Sequence, residues 1–369
     1  MFRLIVPVAS VCCVLATIPA FARQAEPIGS TRNARVAFAI PAGTDPAARP
    51  QLVMLTAAWP AETLEAMRAA APNVTIIDGL NRETARAHAS KANAVDARLL
   101  TPELIASAPN LVWVVTPSAG IDRLMSVKGL GENEKIVVTN SRAMHGPAIA
   151  DHAFAMLLTL TRNMREHNDN QKSSKWDDAD SAFRPIALQG RTMLVVGIGG
   201  IGEEVAKRAN GFGMRVIATR RTDAPAPSFV QKVGKPDELL SMLPEADVVA
   251  ICVPLTKETE KMFDARAFGA MKKGAILINV GRGKVVDTGA LVAALQSDQL
   301  GGACLDVTDP EPLPSDHPLW KQQRVIITPH VSADADLTDE RIRLLLVENV
   351  RRFGAGEPLL NTVDMKTGY

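Results

Sequence analysis

Apolar positions along this chain alternate between two periods, and the clearest switch lies between residues 192 and 221. Met193 to Val196 is a continuous, largely β-branched run with the length of a strand buried on both faces, and it ends in Gly197, Gly199 and Gly202. From Ile201 the spacing turns helical through Val205 and Ala209. Gly211 and Gly213 stop that helix, and Arg215 to Thr219 reads as a second strand. Strand, glycine turn, helix and strand make a βαβ unit. A dinucleotide requires that order: Gly197 permits the tight turn, Gly199 lets a pyrophosphate approach the backbone, and Gly202 lets helix and strand pack closely. Free N–H groups in the first helical turn then face the phosphates. The flanking elements, more than the three glycines, separate this reading from a plain glycine-rich turn.

The same alternation runs on both sides of that unit. Upstream, strands predicted over 52–56, 74–77 and 111–115 alternate with helices over 61–70 and near 102–108, without a second glycine fingerprint. Ser118-Ala119-Gly120-Ile121-Asp122 follows the last of these strands, on the edge where an open α/β sheet places ligands; taken alone it reads as an ordinary turn. Behind Pro147, residues Ile149, Ala153, Met156, Leu157 and Leu160 share one face of a helix over 147–164, long enough to join two domains. Residues 166–189 read as a polar, irregular crossover. Downstream, strands over 248–253, 275–280 and 303–307 and the run at Ile326-Ile327 each end in residues with chemical potential. One such end is Gly281-Arg282-Gly283. An Arg there points its guanidinium into the crevice, where the fork can hold a carboxylate through two bonds; the alternative is a surface Arg in a turn.

Composition narrows the possibilities. A chain of 369 residues exceeds the usual size of one core, so two domains are expected. With 41 basic against 40 acidic residues and a single Tyr, it lacks the basic stripe and stacking rings of a nucleic-acid surface. No stretch after residue 22 is apolar and long enough to cross a bilayer. Residues 1–22 read as an export signal: Arg3, an apolar run from Leu4 to Ile18, and Ala20-Phe21-Ala22 as the cleavage site. A periplasmic or secreted protein is expected, with an uncleaved membrane anchor or a cytoplasmic protein as alternatives. Residues 23–49, rich in Ala, Pro and Arg, read as a linker. Cys12 and Cys13 fall in the leader, and Cys252 and Cys304 read as small buried hydrophobes without a disulfide. No His, Cys or carboxylate cluster has metal-site spacing.

In combination, Gly197-Ile198-Gly199-Gly200-Ile201-Gly202, Asn279-Val280-Gly281-Arg282-Gly283, Leu305-Asp306-Val307 with Glu311-Pro312, and Thr328-Pro329-His330 are specific. Over essentially all of residues 50–360 the chain resembles the D-isomer-specific 2-hydroxyacid dehydrogenases. The resemblance implies an α/β fold of two doubly wound parallel-sheet domains. A Rossmann NAD(P)-binding domain, 147–330, would be inserted into a flavodoxin-like substrate domain of 50–146 and 331–369. It maps the family's catalytic trio onto Arg282, Glu311 and His330, and its substrate loop onto Ser118, Ala119 and Gly120, overturning the bland reading of that turn. Cofactor contacts would come from Gly197, Gly199, Gly200, Ile201, Gly202, Val253, Pro254, Thr259, Val280, Arg282, Asp306 and His330. A small 2-keto acid such as glyoxylate or hydroxypyruvate is the implied substrate. The helix carrying Ala150-Asp151-His152 would form a homodimer.

The residue types fit these roles on their own chemistry. Reduction of a 2-keto acid needs a cation for the carboxylate and a proton for the carbonyl oxygen. Arg282 suits the first; His330, whose imidazole titrates nearest neutral pH, suits the second. Glu311 on the other ring nitrogen would fix the tautomer. Of the remaining histidines only His152 is a rival, and a satisfied interdomain histidine is its expected role. One departure concerns the strand after the glycine turn, where a carboxylate normally receives the ribose 2′-hydroxyl: here stand Arg220 and Arg221. Two guanidiniums favour a 2′-phosphate, so NADP(H) is the expected cofactor, with NAD possible. A nucleotide-dependent binding or sensing protein on the same scaffold is the alternative function.

Overall fold

Two parallel sheets divide the chain, and both lie where the apolar runs predict. The computed structural model describes residues 35–41, 44–177 and 184–366; the leader read over 1–22 lies outside them. The first sheet takes β1 (Leu52–Leu55), β2 (Val74–Ile77), β3 (Ala94–Asp96), β4 (Trp113–Val115) and β5 (Val137–Thr139) in the order β2-β1-β3-β4-β5, all parallel. Between them run α1 (Ala61–Ala70), α2 (Arg82–Arg86), α3 (Pro102–Ala106) and α4 (Asp122–Met125). That strand order is the flavodoxin arrangement.

The long helix α5 (Gly146–Thr161) and α6 (Met164–Lys172) lead into the second sheet. Its strands are β6 (Thr192–Val196), β7 (Arg215–Thr219), β8 (Val230–Gly234), β9 (Val248–Ile251), β10 (Ala275–Asn279), β11 (Leu300–Leu305) and β12 (Val325–Ile327), in the order β12-β11-β10-β9-β6-β7-β8. This is the Rossmann order with an added strand. Helices α7 (Gly200–Gly211), α8 (Leu239–Met242), α9 (Ala265–Ala270) and α10 (Thr288–Gln296) cross between strands, and α11 (Asp336–Ala355) returns to the first sheet.

Every residue of β6 and β10 is buried, as expected of strands covered on both faces. Leu194 and Val196 face Phe263 and Phe268 on one side; Met193 and Val195 face Ile149, Ala153 and Leu157 of α5 on the other. The apolar stripe that predicts α5 is therefore spent on the nucleotide-type sheet. On the first sheet, α11 buries Leu346, Val350 and Phe353 against Met54 and Trp113, with the Phe353 and Trp113 rings 4.9 Å apart.

Several elements depart from the sequence reading. β3 and β5 have three residues each, too short to show a period, and edge strand β8 carries exposed Gln231, Lys232 and Val233. α6 is a helix with no buried residue, lying where an irregular crossover is expected. Residues 35–41 do not behave as linker. Phe38 packs edge-on against Phe353 with centroids 5.2 Å apart, and the Arg35 carbonyl accepts from the Leu359 N–H at 2.9 Å. Cys304 is buried, and burial pushes the Cys252 thiol up to about 12; both thiols are free.

Candidate active site

The glycine turn between β6 and α7 is shaped by close contacts. At Gly197, φ is +92° and a Cβ would lie 2.5 Å from Val253 Cγ1, while a Cβ on Gly202 would lie 2.2 Å from the Gly197 carbonyl oxygen. Only glycine satisfies both positions. At Gly199, the cap of α7, a Cβ would meet nothing within 4 Å. That open ground beside helix N–H groups fits a dinucleotide pyrophosphate. Gly200 lies against Ala143, 2.8 Å from a Cβ placed on it, and Ile201 is half-buried in the first turn. Across the crevice, Val253 and Pro254 leave β9. Thr259 shapes their loop, its hydroxyl donating to the Pro254 carbonyl at 2.7 Å and accepting the Thr256 N–H at 2.8 Å.

The ends of the neighbouring strands β10, β11 and β12 carry the trio. Past β10, behind buried Val280, Asn279 Oδ1 accepts the Gly281 N–H at 3.1 Å and its Nδ2 donates to the Arg282 carbonyl at 3.1 Å, locking the turn. A Cβ on Gly283 would fall 1.9 Å from the Thr308 carbonyl, so the turn lies directly on the strand end that leads to Glu311. The Arg282 guanidinium reaches the other domain, where Nε donates to Asp122 Oδ2 at 2.9 Å. Nη1 donates to the Gly281 carbonyl at 2.8 Å, and Nη2 lies 1.7 Å from where a Gly120 Cβ would stand. The substrate-loop candidate is fixed beside it: the Ser118 carbonyl accepts the Ser141 N–H at 3.1 Å and the Ala119 carbonyl accepts Asn140 Nδ2 at 2.7 Å. Gly120→Ala should therefore displace the guanidinium while leaving the fold intact. The expected result is a loss of about a hundredfold in kcat/KM at an unchanged melting temperature.

His330 sits in the left-handed region, φ +57°, which costs an ordinary residue about 1–3 kcal/mol unless its surroundings hold it. Asp306 supplies that hold. Its carbonyl accepts the His330 N–H at 2.8 Å; Oδ1 accepts the Val331 N–H at 3.0 Å and the Thr328 hydroxyl at 2.7 Å, and Oδ2 accepts the Ser332 N–H at 3.1 Å. Burial works against the Asp306 charge, but these bonds outweigh it and keep its pKa below the ordinary carboxylate value. Thus Asp306, expected as a cofactor contact, also anchors the histidine. His152 Nε2 lies 2.9 Å from the Thr328 hydroxyl, so the ring is satisfied as expected, but by a partner within the nucleotide-type domain and not between the domains. Glu311 Oε1 meets His330 Nδ1 at 2.7 Å, with both side chains 44% exposed.

Arg220 requires a correction. Its side chain is 11% exposed and its donors are committed: Nε to the Ile198 carbonyl at 2.9 Å, Nη1 to the Ala224 and Pro225 carbonyls at 2.8 Å each, and Nη2 to Glu203 Oε1 at 2.7 Å. The guanidinium braces the glycine turn against the loop after β7 instead of standing open to a phosphate. Arg221 is exposed, on the side where Glu258 lies. Asp122 carries no role in the sequence pattern, although its place four residues past Ser118, opening α4, sets it beside the substrate loop.

The chain is similar to known proteins. Residues 154–332 match the family model for the NAD binding domain of D-isomer specific 2-hydroxyacid dehydrogenases. The chain is 35% identical over 268 residues to a glyoxylate reductase of Thermococcus litoralis, covering 71% of this chain and 80% of that protein. A D-isomer specific 2-hydroxyacid dehydrogenase family protein from Aeromonas salmonicida superposes with a TM-score of 0.74 at 33% identity, covering 85% of this chain and 99% of that one. A D-isomer specific 2-hydroxyacid dehydrogenase from Xanthobacter autotrophicus, solved with NADPH and MES, gives 0.73 at 28% identity over 87% of this chain and all of that one. With its two parallel sheets, glycine turn and strand-end trio, the chain belongs to the D-isomer specific 2-hydroxyacid dehydrogenase family, enzymes that work with NAD or NADP.

Proposed function

We propose that this protein reduces a small 2-keto acid, of the glyoxylate or hydroxypyruvate kind, to the D-2-hydroxy acid with NADPH. The observation that carries the proposal is that Arg282, set against Gly120, and the His330–Glu311 pair follow the ends of neighbouring parallel strands. Gly197, Gly199, Gly200, Ile201 and Gly202 would hold the pyrophosphate, with Val253, Pro254, Thr259 and Val280 lining the way toward the trio. When bound, the nicotinamide supplies the hydride for the carbonyl carbon. Arg282 and the backbone of Ser118–Gly120 hold the substrate carboxylate. His330 gives its proton to the carbonyl oxygen in reduction and takes it back in oxidation, while Glu311 on Nδ1 keeps the ring turned and fixes where that proton resides. The trio is complete, which favours turnover over a purely sensing role.

NADPH preference rests on Arg221 and on the absence of a carboxylate at the end of β7. A charge-assisted bond contributes about 1.5–3 kcal/mol, less where solvent screens it, so Arg221→Ala should weaken NADPH binding by about tenfold and NADH binding little. Arg220→Ala should weaken both cofactors alike and lower the melting temperature, because it loosens the glycine turn itself. Fluorescence titration with each nucleotide measures this. A wild type that prefers NADH, or an unchanged NADPH-to-NADH ratio in Arg221→Ala, would place specificity elsewhere. Export by residues 1–22 and a homodimer through α5 complete the proposal. They are tested by the N-terminal residue of the fractionated protein and by its sedimentation mass.

A further inference from the structure

Among the described residues Arg282 makes one ion pair, and it joins the two domains. The guanidinium stands on the β10 turn of the nucleotide-type domain; its partner Asp122 opens α4 of the other domain, two residues past Gly120. Among the described residues the chain passes between the two domains twice, once entering α5 and once entering α11. A bond of 2.9 Å between side chains of opposite domains, placed directly at the substrate loop, therefore ties the cleft shut where the chemistry occurs.

The same contact decides how the guanidinium can be used. A carboxylate can dock on an Arg either side-on, through Nε and one Nη, or end-on, through the two Nη groups. Asp122 occupies Nε, and Nη1 spends one N–H on the Gly281 carbonyl. With Nε taken, the side-on mode is closed, and a ligand carboxylate is left to the two Nη groups, of which Nη2 lies beside Gly120. We infer that Asp122 is a positioning residue: it closes the cleft and forces the substrate carboxylate onto the outer edge of Arg282, setting the carbonyl against His330. This rests on Arg282 serving as the carboxylate anchor proposed above.

Asp122 also offsets part of the Arg282 charge, so removing it costs orientation without costing attraction. That combination predicts a defect in kcat and not in KM. Asp122→Ala should lower kcat by about tenfold or more, because a misaligned substrate loses the near-attack geometry, while the keto-acid KM stays within about threefold. NADPH affinity, read by fluorescence, should not change. Asp122→Asn keeps an acceptor oxygen for Nε and should recover most of the lost kcat. A loss confined to KM, unchanged kcat, or an Asn variant no better than Ala would overturn the assignment.

A second readout needs no turnover. Amide hydrogen exchange in residues 118–125 of the ligand-free protein should speed up in Asp122→Ala and equally in Arg282→Ala, with no further gain in the double variant. Additive or absent changes would overturn the clasp. If the wild type reduces no keto acid at all, the functional proposal fails while the exchange result still decides whether Asp122 ties the domains together.

Discussion

Arg282→Lys should lower kcat/KM by about a hundred- to a thousandfold without unfolding the protein. Two charge-assisted bonds at about 1.5–3 kcal/mol each would justify more, but the side chain is 31% exposed and solvent screening reduces the figure. Lys brings the charge and loses the geometry. Its ammonium is a point on a flexible stem; it cannot hold Asp122, the Gly281 carbonyl and a substrate carboxylate in one plane. The fold should survive because the turn is held by the Asn279 side-chain amide on the Gly281 and Arg282 backbone and by the close packing of Gly283, and not by the guanidinium. Steady-state kinetics with a saturating keto acid, alongside a melting curve, checks both halves. Wild-type turnover would remove Arg282 from the mechanism.

His330→Gln should cost kcat about a hundred- to ten-thousandfold, the range of a lost general acid, while NADPH binding persists. Glutamine can still bond to Glu311 but has no proton to give near neutral pH. The backbone complicates this position, since φ is +57° and a long side chain is poorly suited to it. His330→Asn is the control, because asparagine occupies left-handed conformations more readily and also lacks the proton. Both variants should bind NADPH normally by fluorescence titration and turn over poorly. Normal turnover in either would pass the proton role to His152 or to water.

Much of this was legible because the apolar runs that predict β6, β9 and β10 are the same residues that bury both faces of the second sheet. Strand ends follow from strand positions, so Arg282, Glu311 and His330 could be placed on one edge before any contact was known. The missed elements had too few residues to show a period, as in β3 and β5, or too many charges to look buried, as in α6. Side-chain commitments are a different matter. Arg220 and Arg221 are identical letters in the sequence, yet one is locked to Glu203 and three carbonyls while the other is exposed. Asp306 and Asp122 show the same limit. Their roles depend on partners 22 to 160 positions away, which no local pattern reveals.

The most direct test mixes the purified protein with NADPH and hydroxypyruvate, follows the loss of nicotinamide absorbance, and determines the configuration of the product. NADPH should be consumed mole for mole with formation of the D-2-hydroxy acid. Formation of the L-isomer, or no NADPH consumption with hydroxypyruvate, glyoxylate or any other small 2-keto acid, would contradict it.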